Sequence, residues 1–326
     1  LVSSRGLGDV YKRQSYIDIL NLGSYFFINF LFMMIPYDKR DGKIWYNSEL
    51  VNWSDVKLHV LSHGLHYASC VFEGERVYDG EIFKLEEHTS RFFHSAKRMG
   101  FEIPYSEDQI NKASKNIISV QKVENGYVRP VAWRGSEMMA ISAQQTKIHV
   151  AIATWEWGSY FDPKLKVEGI KLNISKWKRP APDTIPWDTK ASGLYMICTL
   201  SKHEAERDGY TDSLMLDHEG NVAEATGANI FFKDKDGNLH TPTPDSFLDG
   251  ITRRTVIDIA KSKNIKVIER KIAPDELKNF TGCFLTGTAA EVTPVSQIAN
   301  YNFKVCKTII ELSDSYQLIV RKKKAA

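Results

Sequence analysis

Lys190 stands in the stretch DTIPWDTKASGLY, Asp183 to Tyr195, and is followed by Ala191, Ser192 and Gly193. Three small residues let the backbone come close to a flat ligand, while Pro182 and Pro186 stiffen the approach and fix where the lysine points. An amine held in this way can form a Schiff base once it has lost its proton. A solvated loop lysine fits the same letters, so the choice rests on what else the chain offers. Glu224 falls on an expected strand, Gly250-Ile251-Thr252 at an expected helix start, and Gly287-Thr288-Ala289-Ala290 after another expected strand. Singly these read as a solvent-facing carboxylate, a turn glycine and a cap threonine. Together with Lys190 they offer an amine for an aldehyde, a carboxylate for a ring nitrogen, and amides and hydroxyls for a phosphate. That is the set of groups pyridoxal 5'-phosphate requires.

The elements that must position these groups follow from periodicity. Ile44 to Val51 reads as strand, turn and strand, and Tyr67 to Tyr78 as an apolar segment broken by Gly74 and closed by the turn Asp79-Gly80. From Lys84 the pattern turns helical, with Leu85, Phe92, Ala96 and Met99 at threes and fours until Gly100. Arg91 borders that stripe, where the plain alternative is a surface pair with Glu87. A second helix is expected from about Glu107 to Lys122, then a strand, Tyr127 to Arg134, which Pro130 marks as an edge or an end. Lys147 to Trp155 is a buried strand by its β-branched content, and Trp157 to Pro163 a hinge. Past the lysine loop come a helix, Leu194 to Arg207, and strands at Ser213 to Asp217, Val222 to Thr226 and Asn229 to Lys233, read as a meander. A helix, Thr252 to Lys263, and strands near Lys266 to Ile272 and Cys283 to Thr286 follow.

Composition removes whole classes of function. The chain has 326 residues, 43% hydrophobic and 25% charged, enough for two domains with separate cores. Its 43 basic and 40 acidic residues leave a net charge of +3, too balanced for nucleic acid, and the basic run Arg321 to Lys324 reads as solvated. Cys70, Cys198, Cys283 and Cys306 are widely spaced, without C-x-x-C or histidines at ligand spacing, so reduced thiols, a cytoplasmic setting and no metal are expected. Leu1 to Gln14 lacks periodicity and reads as read-through sequence; Tyr25 to Ile35 is apolar but too short to span a bilayer and has no cleavage site after it, though a secretory reading stays open. The expected division is a non-native or disordered extension over 1–33 with a native start at Met33 or Met34, a smaller α/β domain over 34–157, an interdomain loop over 158–166 and a larger cofactor-binding domain over 167–326.

VFEG (Val71 to Gly74), EHTSRF (Glu87 to Phe92), GYVRP (Gly126 to Pro130), the lysine loop, GITR (Gly250 to Arg253) and GTAAEVTP (Gly287 to Pro294) resemble the motifs of branched-chain amino acid aminotransferases, and the resemblance runs from about Met34 to Ala299. It implies an α+β fold of two α/β-type domains, the fold type IV or D-amino acid aminotransferase-like architecture, with the cofactor at the domain interface. It implies that Lys190 is the Schiff-base lysine, that Arg91, Gly250, Ile251, Thr252 and Thr288 surround the phosphate, and that Tyr195 meets the phenolic oxygen and Glu224 the pyridine nitrogen. Phe72, Tyr127, Trp157 and Tyr160 would surround the substrate side chain, the Thr288 and Ala289 amides would meet the α-carboxylate, and Arg129 a distal carboxylate. Plain core is the alternative for each aromatic, and an ion pair with Glu137 the alternative for Arg129.

The implied reaction moves the amino group of leucine, isoleucine or valine to 2-oxoglutarate by a ping-pong course, in a homodimer or larger assembly whose Met139 to Ile141 loop reaches a partner's pocket. A D-amino acid transaminase or aminodeoxychorismate lyase shares the fold, but VFEG and the Tyr127–Arg129 pair argue against both. A non-catalytic cofactor-binding oligomer would have no need of Lys190, Tyr195, Glu224 and Arg91 together. Two departures stand out: Tyr301 to Lys307 lacks the Gly/Pro turn of many relatives, and Ala228 stands where some carry an acidic residue.

Overall fold

Two sheets carry the chain, and every strand up to residue 156 belongs to the first while every later one belongs to the second. The computed structural model describes residues 35–162 and 164–322. The expected extension over 1–33, the start at Met33 or Met34, nearly all of the Tyr25 to Ile35 run, Pro163 of the hinge and Lys323 and Lys324 of the basic run lie outside the described residues. Residues 35–42 hold a short 3-10 turn, Tyr37–Lys39, with the Arg40 guanidinium 4.5 Å above the Tyr37 ring.

The first sheet contains β1 (Lys43–Tyr46), β2 (Glu49–Asn52), β3 (Cys70–Phe72), β4 (Glu75–Tyr78), β5 (Glu81–Ile82), β6 (Gly126–Arg134) and β7 (Ile148–Glu156). Its order is β2-β1-β7-β6-β4-β5, with β3 also on β6. A short helix α1 (His63–Tyr67) precedes β3, and α2 (Leu85–Arg98) and α3 (Glu107–Val120) cover the sheet. The apolar stripe read from Leu85 onward is the buried face of α2: Phe92 and Ala96 join Ile110 and Ile117 of α3 against Val77, Val128, Val150 and Ile152. A capping box of Ser106 and Gln109 starts α3 by satisfying two of the free amides there. Pro130 is neither at an edge nor at an end, because it lies mid-strand in β6, opposite Ile152 of β7. Its carbonyl accepts from the Glu73 amide at 2.8 Å, so its nitrogen faces the gap between β3 and β4, where no ladder bond is lost.

The second sheet holds β8 (Ile170–Ile174), β9 (Asp212–Leu216), β10 (Val222–Ala225), β11 (Asn229–Lys233), β12 (Leu239–Thr241), β13 (Val267–Glu269), β14 (Gly282–Gly287), β15 (Glu291–Ile298) and β16 (Tyr301–Asn302). The order is β10-β9-β8-β15-β14-β11-β12-β13, with β16 on β15. The expected meander is therefore corrected: β9 and β10 form a hairpin, but β11 pairs with β14 and β12. In a flat sheet β10 and β11 would be roughly 24 Å apart, beyond the reach of about 14 Å for a three-residue link. The sheet must curl until the two strands meet, and a turn closed by Ala225 N–H to Ala228 O at 2.8 Å joins them. Helices α4 (Leu165–Glu168), α5 (Met196–Arg207), α6 (Ile251–Ser262) and α7 (Lys307–Val320) complete this half.

Val256, Ile259 and Ala260 of α6 and Ile309, Leu312 and Tyr316 of α7 pack on Phe231, Phe284 and Val292. Phe231 and Phe284 are fully buried neighbours on β11 and β14, with rings stacked 5.0 Å apart. Phe284→Ala should cost about 3–5 kcal/mol through the cavity it leaves. Urea denaturation checks this, and an unchanged midpoint would show that the stack contributes nothing to the core.

Candidate active site

The backbone of Lys190 is stitched to the first sheet before its side chain does anything. Its amide donates to Ser95 Oγ of α2 at 3.0 Å, its carbonyl accepts from the Phe72 amide at 3.1 Å, and Ala191 forms a bridge with Val71. The amine donates to Tyr195 Oη at 2.8 Å and lies 4.8 Å from the Phe72 ring centre. Tyr195 comes from the 3-10 turn Ser192–Tyr195 that leads into α5, which explains the spacing of five residues between amine and phenol. Burial pushes the Lys190 amine down to about 8, with the Glu73 charge opposing and the Arg91 charge assisting. Burial and the nearby Glu224 raise the Tyr195 phenol, so it keeps its proton.

Behind the lysine lies a buried ion cluster. Glu73 is fully buried; it accepts from Arg91 Nε at 2.6 Å and Nη2 at 2.9 Å, and its Oε2 is 2.8 Å from His88 Nδ1. Burial works to raise this carboxyl, but the Arg91 charge and the His88 hydrogen bond outweigh it and hold it well below the usual carboxylate range. Arg91 is thus fixed by two parallel bonds with the rest of its fork free to face the cleft. The surface pair of Arg91 with Glu87 does not form: Glu87 meets Lys84 at 2.8 Å and Arg254 at 3.2 Å.

At the other wall, β10 is buried along its length, and a bulge between Val222 and Glu224 sets the direction of the Glu224 side chain. Burial pushes the Glu224 carboxyl up to about 7, against the charges of Arg179 and Lys190. Arg179 Nε lies 3.4 Å from Glu224 Oε1, and Asn229 Nδ2 donates to Oε2 at 3.3 Å. Asn229 Oδ1 also accepts the Gly250 amide at 3.0 Å, which ties Glu224 to the start of α6. Gly250 has no substitute here, since a Cβ would come within 2.2 Å of Asn229 Oδ1. The same holds at Gly74, where a Cβ would stand 1.9 Å from the Tyr127 hydroxyl.

Arg91, Tyr127, Lys190, Tyr195, Glu224, Gly250, Ile251, Thr252, Thr288 and Ala289 all line one cleft of about 710 Å³, open solvent included. A roomier pocket between residues 78–86 and 319–322 contains none of them. Phe72, Arg129, Trp157 and Tyr160 are not part of that lining, although the Phe72 ring packs on Lys190 and Tyr195. Arg129 lies over the Phe72 ring at 4.7 Å and donates from Nη2 to Tyr127 Oη at 3.4 Å; Trp157 meets Tyr127 edge-on at 4.7 Å, and Tyr160 meets Trp157 at 5.8 Å. Arg129 has no carboxylate partner among the described residues; Glu137 accepts the Lys147 amide instead. Sequence reading passed over Glu73, Arg179, Asn229 and Thr286. Glu73 sits inside the quoted VFEG motif, and a carboxylate directly after the apolar Val71-Phe72 pair was a usable signal.

The family description "Amino-transferase class IV" matches residues 70–298. The chain belongs to the class IV aminotransferases. Relatives at 38–43% identity are branched-chain aminotransferases, and the chain is one of that group. The probable branched-chain-amino-acid aminotransferase of Rickettsia conorii is 41% identical over 292 residues, 88% of this chain and 99% of that one. The solved branched-chain aminotransferase of the thermophilic archaeon Thermoproteus uzoniensis with norvaline is 34% identical with a TM-score of 0.83, covering 87% of this chain and 96% of the other. The branched-chain amino acid aminotransferase of Thermobaculum terrenum, solved in its PLP-form, gives 27% and 0.79, with coverage of 87% and 95%. That relative was solved with PLP bound, so the cleft can be tested for its fit to pyridoxal phosphate.

The residues present fit that group. Thr286 Oγ1 and Arg179 Nε are buried at the cleft without a hydrogen-bond partner among the described residues, and the first amides of the twelve-residue helix α6 open onto the cleft without a side-chain cap. A phosphate would accept from these helix amides, and a protonated ring nitrogen would find its acceptor in the buried Glu224 carboxylate. Capture of pyridoxal 5'-phosphate by the cofactor-free class IV aminotransferase should therefore speed up about tenfold per pH unit and level off above about pH 8, as the Lys190 amine loses its proton. Stopped-flow absorbance measures it. A midpoint near that of a free lysine would show that Lys190 is not desolvated.

Proposed function

We propose that this chain transfers the amino group of L-leucine, L-isoleucine or L-valine to 2-oxoglutarate in two half-reactions at one site. Arg129 carries the reading: its guanidinium is stacked between the Phe72 and Tyr127 rings without a carboxylate partner among the described residues, 4.7 Å and 5.2 Å from their centres. An aromatic wall with one uncommitted cation suits an apolar side chain in one half-reaction and a distal carboxylate in the other.

When bound, pyridoxal 5'-phosphate supplies an electron sink that lets the Cα–H bond of the amino acid break. Lys190 holds the cofactor and, once freed, takes the α-proton and returns it, since its lowered proton affinity suits both directions near neutral pH. Tyr195, which accepts from the lysine amine, would meet the phenolic oxygen. Glu224, steadied by Arg179 and Asn229, would face the ring nitrogen. Arg91, Thr252, Thr288 and the Ile251 and Thr252 amides would hold the phosphate, with Gly250 tied to Asn229 beside them. The Thr288 and Ala289 amides bind the α-carboxylate, and Phe72, Tyr127, Trp157 and Tyr160 enclose the side chain.

Residues 158–166 are read as the link between a domain over 34–157 and one over 167–326. The assembly is at least a homodimer and cytoplasmic. Exposed Leu58, Val60, Leu61 and Leu65 support a subunit contact, as do exposed Met139 and Ile141, held beside them by His63 Nε2 donating to Ala140 O at 2.8 Å.

Glu224→Gln should slow α-proton removal by about a hundredfold, because an amide cannot balance the charge at the ring nitrogen, while cofactor retention changes little. Wild-type single-turnover rates in that variant would move the role elsewhere. Arg129→Leu should raise the Michaelis constant for 2-oxoglutarate by roughly tenfold to a hundredfold, the loss of one charge-assisted bond of about 1.5–3 kcal/mol. The leucine half-reaction should change much less. Equal losses in both half-reactions would mean that dual recognition is built from other residues.

A further inference from the structure

Glu291 opens β15 opposite Gly287, closing the turn that carries Thr288 and Ala289. Its backbone is left-handed, at φ 54°, a region that favours glycine and that a glutamate rarely adopts. A residue kept there against its own preference needs a reason in its side chain. That side chain is buried, and its contacts supply one. Glu291 Oε1 accepts from Tyr78 Oη of β4 at 2.8 Å, and Oε2 accepts from Lys166 Nζ of α4 at 2.9 Å. Gln317 of α7 adds a third hydrogen bond.

Lys166 lies at the far end of the segment that begins with Trp157 and Tyr160. The near end is fastened from the same strand: Arg76, two residues before Tyr78 and so on the same face of β4, donates from Nη1 to Gly158 O at 2.8 Å. One face of β4 thus grips the segment at both ends, directly at Gly158 and through Glu291 at Lys166.

We propose that Glu291 is a positioning residue that couples the Thr288–Ala289 turn to the Trp157–Tyr160 segment, so that the two sides of the substrate pocket are set together. The proposal rests on the reading of the pocket given under the proposed function. A carboxylate suits the place because it can accept from a phenol and an ammonium at once, which glycine cannot, although glycine would suit the backbone.

Two variants of the holoenzyme test it. Glu291→Gly fits the left-handed backbone, so the turn still forms, and Lys166→Met keeps the apolar stem while removing the ammonium. Each should raise the Michaelis constants for both amino donor and 2-oxo acid by roughly tenfold or more. The absorbance of the bound cofactor and its borohydride attachment to Lys190 should stay as in the wild type. The double variant should be no worse than the worse single one, because both cut one link. Michaelis constants within twofold of wild type in both singles, with or without a lower melting temperature, would overturn the proposal, as would losses that multiply in the double variant. Wild-type turnover of leucine with 2-oxoglutarate tests the functional reading separately, and the variant-to-wild-type ratio is taken on whichever amino donor the wild type uses.

Discussion

The Lys190 amine is closed in by α2, β3 and the Ser192–Tyr195 turn, and the loss of water around it brings its proton affinity down to about 8. Most of the site can be read as a response to that desolvation. A buried amine near a free arginine would be driven lower still and the arginine would drift toward solvent. Glu73 prevents both, since its charge is committed to Arg91 by two bonds and still opposes the field at Lys190. Putting Glu73 itself under cover is costly, and the arginine together with His88 supplies the compensation a buried carboxylate requires.

The opposite wall solves the complementary problem of holding a buried carboxyl at the edge of the cleft. Glu224 is raised by burial, so its charge is available only where a cation faces it. Arg179 supplies a charge at 3.4 Å without hydrogen-bond geometry at Nε, which leaves the carboxylate free to turn to a stronger partner. Asn229 adds direction, with one side-chain amide serving both Glu224 and the Gly250 amide. Through it Glu224 and the start of α6 share a rigid link, and a shift of α6 would be felt at Glu224.

The sequence made legible what depends on local pattern. The α2 stripe, the turn at Asp79-Gly80, the Gly250 helix start and the strand bearing Glu224 all express short-range rules of period or turn chemistry. Missed or misread features depend on contacts far apart in the chain. Pro130 obeys the rule against a lost ladder bond, but only the gap between β3 and β4, more than fifty residues earlier, shows how. The curl that brings β10 to β11 follows from the placement of β14 and β15, which come later. Arg179 precedes a proline in a loop with no periodicity, so nothing local marks it as the partner of a carboxyl on β10.

Glu75 shows how far the charge balance at Lys190 extends. It lies two residues after Glu73, is buried, and has no hydrogen-bond partner for either oxygen among the described residues. Burial first, and then the Glu73 charge, raise its carboxyl well above the ordinary value of 4.5, with Arg91 opposing. Two adjacent buried carboxyls cannot both ionise against one arginine, and the hydrogen-bonded one keeps the charge. The two therefore pull stability in opposite directions with pH. Glu73 releases its proton more readily folded than unfolded, so its contribution is present above the unfolded value and fades as pH falls. Glu75 holds its proton in the folded chain while the unfolded chain releases it above about 4.5, so stability falls as pH rises past that point. A neutral Glu75 leaves Glu73 as the single charge beside Arg91, which is the condition under which the arginine stays fixed and the lysine keeps its lowered proton affinity.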